Sequence, residues 1–102
     1  MITEIVAFKT HAGKAKQAQE WAARIVAYLK KATSAWQVLL LNPMSGDCDT
    51  EVLVVIHCPS LSDFDDAMKR RAEDPAWQAL AKESRESDWY LGYTRQFYTV
   101  IG

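Results

Sequence analysis

Cysteine, glycine and proline are scarce in this chain of 102 residues, which contains two, four and three of them respectively. The two cysteines, Cys48 and Cys58, are too few and too unpatterned for a disulfide framework or a zinc site, so we expect both to be reduced thiols. The sequence also contains no Gly-rich phosphate loop, no nucleophile elbow and no cluster of metal ligands. We therefore expect neither a metal nor a bound cofactor.

An excess of charge and a long apolar run are absent as well. The formal net charge is -1 at pH 7, which gives no reason to expect nucleic acid or an anionic membrane as a partner. The longest apolar run is far below the roughly 18 residues that span a bilayer, and the chain begins with a strand pattern instead of a signal segment. We therefore expect a cytoplasmic protein. Residues 1–102 should form one domain, since this length supports a single hydrophobic core.

The segment Glu51–Cys58 carries the clearest secondary-structure signal. Residues 52–56 are five consecutive apolar residues, four of them β-branched, which predicts a strand that is covered on both faces and central in its sheet. Pro59 and Ser60 end the strand, because proline cannot continue a ladder of hydrogen bonds. His57 interrupts its apolar pattern.

Three more strands are predicted over residues 2–9, 36–41 and 89–101 from their apolar content and alternation. Alternation in the last strand places Tyr90, Tyr98 and Val100 on one face, and Leu91, Tyr93, Phe97 and Ile101 on the other. Between the first two strands, apolar residues at steps of three and four predict a helix with an alanine-rich inward stripe. That stripe consists of Ala15, Ala18, Ala22, Ile25, Leu29 and Ala32.

Two further helices are predicted after the central strand. Ser60 is an N-cap candidate for the first of them, whose apolar stripe consists of Leu61, Phe64, Met68 and Ala72. Asp74 is positioned to cap the second, which begins at Pro75 because the missing N–H of proline costs nothing in the first turn. Trp77, Leu80 and Ala81 should then point inward.

The order βαββαβ predicts an α+β fold of the ferredoxin-like type with an antiparallel four-stranded sheet. A loop over residues 42–47 has the length of a hairpin connection, so the second and third strands should be antiparallel neighbours. The first and third strands should lie centrally. The helices can cover only one face of this sheet, yet every strand carries large apolar residues on both faces. We therefore expect a homodimer in which two sheets pack face to face and bury roughly 1,600 Å² or more.

Several short motifs resemble the NIPSNAP-like branch of the dimeric α/β-barrel superfamily, which includes antibiotic-biosynthesis-monooxygenase-like proteins. The resemblance spans essentially the whole chain and rests on residues 2–5, 8–9, 13–14, 60–61 and 74–77, of which Asp-Pro-Ala-Trp is the most specific. The chain departs from it at Ala12, where such proteins often have proline. The resemblance implies a dimeric α/β barrel. It implies less about activity, because relatives include cofactor-free monooxygenases, haem-degrading enzymes, decarboxylases, isomerases and proteins with no known activity.

A candidate site is expected in the cleft between the sheet and the helices. His57 and Tyr90 are candidates for moving a proton, although a histidine at a strand end more often bonds to a loop carbonyl or to water. Glu4, on a mostly apolar strand face, must be paired or protonated if it is buried. Arg95 on the adjacent fourth strand is its predicted partner, either as a structural ion pair or as an anion-binding arginine beside a general base.

Aromatic residues are candidates for the walls of this pocket. Trp36 and Tyr93, together with Tyr90, would orient a flat aromatic or quinone-like substrate by stacking, or else belong to the core or the dimer contact. The basic run 69–71 lies beside acidic residues, which is typical of a solvated helix face.

Three classes of function fit these expectations. The first is a cofactor-independent monooxygenase or isomerase that acts on a small aromatic or quinone-like molecule. The second is a non-catalytic binding or dimerisation module, which predicts a cleft packed shut. The third is haem binding or degradation. The sequence makes this class the least favoured, because haem-degrading relatives use an asparagine on the first strand and the sole asparagine here, Asn42, follows the second strand.

Overall fold

A computed structural model describes residues 1–33, 36–44 and 50–102 of the chain. Its elements are β1 (Ile2–Thr10), α1 (Ala15–Ala32), β2 (Gln37–Leu41), β3 (Glu51–Cys58), α2 (Leu61–Ala72), α3 (Pro75–Glu86) and β4 (Tyr90–Thr99). The predicted order of strands and helices is confirmed, including the separate helix that begins at Pro75. Residues 45–47 of the predicted hairpin loop and Cys48 lie outside the described residues.

The four strands form one antiparallel sheet in the order β2-β3-β1-β4. Both predicted central strands, β1 and β3, are therefore central, and the chain has the α+β, ferredoxin-like fold that the sequence predicts. In the register of these two strands, Val6 lies opposite Val54 and Glu4 lies opposite Ile56. Both pairs lie on the face of the sheet that the helices cover.

Helix α1 supplies the main packing against this face. Its buried residues are Ala15, Ala18, Trp21, Ala22, Ile25, Val26 and Leu29. The predicted stripe is confirmed except at its last member, Ala32, which is exposed. Alanine side chains are small, so the helix axis lies close to the sheet and the interface between them stays closely packed. Trp21 also donates a hydrogen bond from Nε1 to the carbonyl of Leu80 at 2.9 Å, which fixes α3 against α1.

The predicted caps of α2 and α3 are present. Ser60 Oγ accepts a hydrogen bond from the backbone N–H of Asp63 at 3.2 Å, and Asp74 Oδ1 accepts one from Ala76 at 2.9 Å. These contacts satisfy N–H groups that a helix start leaves without intrahelical partners.

The inward stripe of α2 differs from the predicted one. Its buried members are Phe64, Ala67 and Arg71, whereas Leu61 and Ala72 are exposed. The helix is therefore rotated about its axis relative to the prediction, and this rotation carries an arginine into the interior.

The other face of the sheet carries no helix. Leu39, Leu41, Leu91 and Tyr98 are exposed large residues in the strands that flank the central pair. Between them, Leu53 on β3 is half-buried. We call this surface the outer face. None of the helices among the described residues is long and apolar enough to cross a membrane.

Candidate functional site

A cavity of about 370 Å³ lies between the covered face of the sheet and the three helices. Much of its wall is apolar, and Phe8, Trp21 and Trp77 supply aromatic surface. The rings of Phe8 and Trp21 meet edge to face with centroids 4.9 Å apart. The polar side chains of the lining are those of Glu4, Arg71, Ser84, Arg85, Tyr90, Tyr93 and Arg95. An apolar pocket with a few convergent polar groups is the usual form of a small-molecule site.

Glu4 and Arg95 form an ion pair on the floor of this cavity. Arg95 donates two hydrogen bonds to Glu4 Oε2, from Nε at 2.8 Å and from Nη2 at 2.6 Å. The Glu4 side chain is 2% exposed and that of Arg95 is 30% exposed. The predicted pairing of the two residues is confirmed. Both lie on helix-facing positions of adjacent strands, because Arg95 is opposite Val6, two residues beyond Glu4.

A second guanidinium lies near this pair. Arg71, on α2, is 7% exposed, and its Cζ lies 4.7 Å from the centroid of the Trp77 ring. Arg71 and Arg95 each direct an Nη2 group toward the sulfur of Met68. Burial lowers the pKa of Arg71, Glu4 acts in the opposite direction, and Arg95 adds to the lowering. Two guanidinium groups therefore lie near the one buried carboxylate of the cavity, and Arg85 is a third arginine in its lining.

Arg71 is the site residue that the sequence reasoning missed. The run 69–71 was expected to be a solvated face, and that expectation is wrong for Arg71, whereas Lys69 and Arg70 are exposed. A signal was present in the spacing, since Arg71 follows Phe64 by seven residues and Ala67 by four. These steps place all three on one helix face.

A β-bulge places Tyr90 at the cavity. The pairing of β1 with β4 shifts between Lys9, opposite Gly92, and Thr10, opposite Tyr90, so that Leu91 is an extra residue. Gly92 has φ +150°, which glycine adopts without the clash that a side chain would bring. The shift turns Tyr90 to the same face as Tyr93, which corrects the prediction that the two lie on opposite faces.

Tyr93 lies at the mouth of the cavity. It is 54% exposed, and its ring centroid is 6.3 Å from that of Phe8. A side chain in this position would contact both solvent and a ligand in the cavity.

His57 does not lie at the cavity. It is opposite Thr3 in the sheet, and its Nδ1 is 2.9 Å from the hydroxyl of that residue. Side chains alternate along a strand, so His57 shares the outer face with Leu53 while Ile56 faces the cavity. The expected cavity bounded by His57 together with Tyr90 is corrected accordingly.

Trp36 also lies apart from the cavity lining. Its ring stacks on Phe64 with centroids 6.4 Å apart and an interplanar angle of 14°. Phe64 in turn meets Phe97 edge to face at 5.1 Å. This aromatic row borders the polar groups, because Arg95 Cζ lies 5.6 Å from the centroid of the Phe64 ring and 5.3 Å from that of the Phe97 ring. Of the six residues proposed for the site from the sequence, the structure brings together Glu4, Tyr90, Tyr93 and Arg95.

Comparison with known proteins gives structural matches. No protein-family model matches the sequence, and no curated protein matches it as a relative. A NIPSNAP domain protein from Burkholderia xenovorans is similar in structure with a TM-score of 0.77 and 20% identity, over 99% of this chain and 95% of that one.

Two other solved structures extend the likeness. SnoaB from Streptomyces nogalater, described as a cofactor-independent oxygenase, has a TM-score of 0.71 and 17% identity, over 99% of this chain and 93% of its own. A dimeric protein of ferredoxin-like fold from Bacteroides fragilis has a TM-score of 0.68 and 15% identity, over 97% and 95% of the two chains. These likenesses show that the chain has the fold of NIPSNAP domain proteins and of antibiotic-biosynthesis-monooxygenase-like proteins.

Proposed function

We propose that this protein is a homodimeric, cofactor-independent monooxygenase or isomerase that acts on a small aromatic or quinone-like molecule. The observation that carries the proposal is the cavity, in which Glu4, Tyr90, Tyr93 and Arg95 meet within aromatic walls. The likeness in fold to a cofactor-independent oxygenase supports the same class of activity.

The size and walls of the cavity suit a flat ligand. About 370 Å³ lies within the range of small-molecule pockets. Phe8 and Trp21 offer ring faces and edges against which an aromatic molecule is oriented. Such walls also exclude water from the reacting atoms, which strengthens each electrostatic contact inside. The alternative, a non-catalytic module, predicts a cleft that is filled by side chains, whereas the described residues enclose a cavity there.

Tyr90 is the proposed proton donor. A tyrosine hydroxyl is protonated near neutral pH and both donates and accepts a hydrogen bond. In an isomerisation it would deliver a proton to a substrate oxygen, and in an oxygenation it would stabilise the negative charge that develops there. We assign this role to Tyr90 instead of His57, because His57 lies on the outer face.

Arg95, Glu4 and Tyr93 are the proposed substrate-binding residues. Glu4 holds the Arg95 guanidinium by two hydrogen bonds to one oxygen, which fixes its plane and leaves its remaining N–H groups to bind a substrate oxygen. Tyr93 would close the mouth of the cavity over the ring.

The oxygenation needs no further reductant when the substrate supplies the electrons. An activated ring methylene reacts with dioxygen to give a carbonyl and one molecule of water, so that one oxygen atom enters the product and the other leaves. In that reaction the protein binds, orients and holds a proton, which is the chemistry that the cavity side chains offer.

Turnover of hydroquinones, naphthols and anthrone-type compounds, followed by oxygen consumption and by absorbance of the product, tests this proposal. We expect Tyr90→Phe to lower kcat by about 10²–10⁴-fold at unchanged KM. Tyr98→Phe is the matched control, since Tyr98 lies on the same strand and bonds Gln96 on the opposite face. Wild-type turnover by Tyr90→Phe would remove Tyr90 from the mechanism, and a cavity that binds none of these compounds would refute the proposed function.

We propose that the homodimer forms through the outer face as a closed two-sheet assembly. Support comes from the exposed apolar side chains there and from the dimeric neighbour of like fold. Contiguous exposed apolar patches of this kind commonly mark an interaction surface. The cytoplasmic location expected from the sequence is a separate proposal.

Light scattering tests the dimer. At about 10 μM the wild type should have twice the protomer mass, because a standard interface of roughly 1,600 Å² commonly holds at micromolar concentration. Leu53→Glu places a charge on the outer face and should shift the mass toward that of a protomer. Leu61→Glu, at an exposed position of α2, is the matched control and should stay dimeric. A wild type with the mass of a protomer would contradict the proposal.

A further inference from the structure

Arg71 has no strong hydrogen-bond acceptor and no ion-pair partner within the described part of the protein. The hydrogen-bond acceptor that the structure gives it is the sulfur of Met68, which accepts weakly. Its Nε is the one buried side-chain nitrogen or oxygen, among the described residues, without any hydrogen-bond partner. None of the ion pairs in that part of the chain includes Arg71. A guanidinium with five donors thus meets one poor acceptor.

The nearby carboxylate of Glu4 pairs with Arg95, which donates two hydrogen bonds to its Oε2. Among the described residues, no ion pair joins Glu4 to Arg71. Two guanidinium groups therefore share one carboxylate, and the cluster of Glu4, Arg71 and Arg95 has a formal charge of +1. A buried charge without a counter-ion is strongly unfavourable, and an apolar side chain of similar volume would serve packing better. An arginine in this position is explained if a ligand supplies the missing negative charge.

The charge of the whole lining points the same way. Three arginines and one glutamate line the cavity, which gives it a formal charge of +2, whereas the chain as a whole carries -1. The third arginine, Arg85, is exposed and takes part in none of the ion pairs of the described residues. A concentration of positive charge in an apolar cleft attracts anions.

The geometry around Arg71 also selects a planar ligand. Trp77 holds the guanidinium from one side, with Cζ 4.7 Å from the ring centroid. A carboxylate or an enolate is coplanar with the ring that bears it, and a guanidinium binds such oxygens through two parallel N–H groups. The aromatic wall formed by Phe8 and Trp21 then receives the ring.

We propose that Arg71 is the anion-binding residue of the cavity and that the ligand is a planar aromatic anion, whose carboxylate, phenolate or enolate oxygen pairs with Arg71. This inference rests on the proposed function and names the charge state of its substrate. A substrate that binds as an enolate is already deprotonated, so the protein needs no separate base to prepare it for reaction. Arg71 acts here by contact with the ligand.

Calorimetric titration with two probes of matched shape tests the inference. The probes are 2-naphthoate and its neutral counterpart 2-naphthamide, each titrated into the wild type, Arg71→Met and Arg70→Met. We expect the wild type to bind naphthoate about tenfold or more tightly than naphthamide, as for a hydrogen-bonded charge pair in a desolvated site. Arg71→Met should lose this preference and retain its affinity for naphthamide. Arg70→Met removes an exposed arginine from the same helix and should behave as the wild type.

The wild-type comparison of the two probes requires no variant, so it decides the question even if Arg71→Met folds poorly. Equal affinity of the wild type for acid and amide would overturn the anion inference and leave the proposed function standing. Undiminished binding of naphthoate by a folded Arg71→Met protein would also overturn it. If neither probe binds the wild type, the inference and the proposed aromatic substrate both fail.

Discussion

Replacement of Glu4 by glutamine tests the electrostatic balance of the cavity. The variant keeps the size of the side chain and one oxygen acceptor, but it raises the formal charge of the cluster with Arg71 and Arg95 from +1 to +2. Removal of one partner from a buried ion pair typically costs about 3–5 kcal/mol. Arg95 is 30% exposed, and the amide oxygen of the variant still accepts a hydrogen bond, so part of this cost is recovered.

We therefore expect Glu4→Gln to lower the free energy of unfolding by about 2–3 kcal/mol. For a domain of this size, that change corresponds to a fall in Tm of roughly 8–24 °C. Urea unfolding followed by tryptophan fluorescence measures it, at one fixed protomer concentration because dimerisation would add to stability. In an Arg71→Met background, Arg95 is the one arginine of the cluster that remains near residue 4. Glu4→Gln then leaves one guanidinium without a counter-ion instead of two, so the loss of unfolding free energy should be smaller by about 0.5–3 kcal/mol.

Glu83→Gln is the matched control for Glu4→Gln. Glu83 also accepts two hydrogen bonds from one arginine, Arg24, but both side chains are about half exposed. Water solvates the partner that remains, so this variant should change stability much less. A loss below about 0.5 kcal/mol for Glu4→Gln, or one no larger than that of Glu83→Gln, would refute the view that the cavity depends on its one buried carboxylate.

Two further predictions concern titratable groups outside the site. The Tyr28 hydroxyl donates a hydrogen bond that, with the Ala76 N–H, holds the pKa of Asp74 below its usual range. This contribution to stability is present above the unfolded pKa of about 3.9 and is lost as the pH falls through the folded value. Urea unfolding between about pH 2 and pH 5 should therefore show a shallower acid loss in Tyr28→Phe than in the wild type, and equal slopes would contradict this. Burial raises the pKa of the Cys58 thiol, which is 1% exposed. In a Cys48→Ser variant, a disulfide reagent at about pH 8 should label Cys58 at least about tenfold more slowly in the native state than in urea, and rapid native labelling would show that the thiol is accessible.

Much of the fold could be predicted because it depends on local patterns. Five apolar residues in Glu51–Cys58 require cover on both faces, and the structure places this strand beside β1 in the centre of the sheet. Ser60 and Asp74 mark helix starts through side-chain oxygens that reach N–H groups two or three residues away. Glu4 and Arg95 could be paired because their strands are adjacent in this topology and a buried carboxylate requires a partner.

The site itself was predictable only in part, because alternation along a strand does not decide which face of the sheet a given side chain occupies. Along β3 both faces are apolar, so the pattern does not say which parity the helices cover, and His57 proved to lie on the outer face. In β4 the extra residue Leu91 shifts the register and carries Tyr90 to the cavity, which no alternation in the sequence reveals.

By itself the sequence determined the order of strands and helices, the central strands, the helix starts and the pairing of Glu4 with Arg95. These features follow from periodicity, capping and the cost of burying charge, each of which acts between residues close in sequence or in adjacent strands. Only the tertiary structure decided that α2 turns Arg71 inward, since the rotation of a helix is set by how its side chains pack against the sheet and against α3. The guanidinium that lies on Trp77 with too few acceptors is a consequence of that packing.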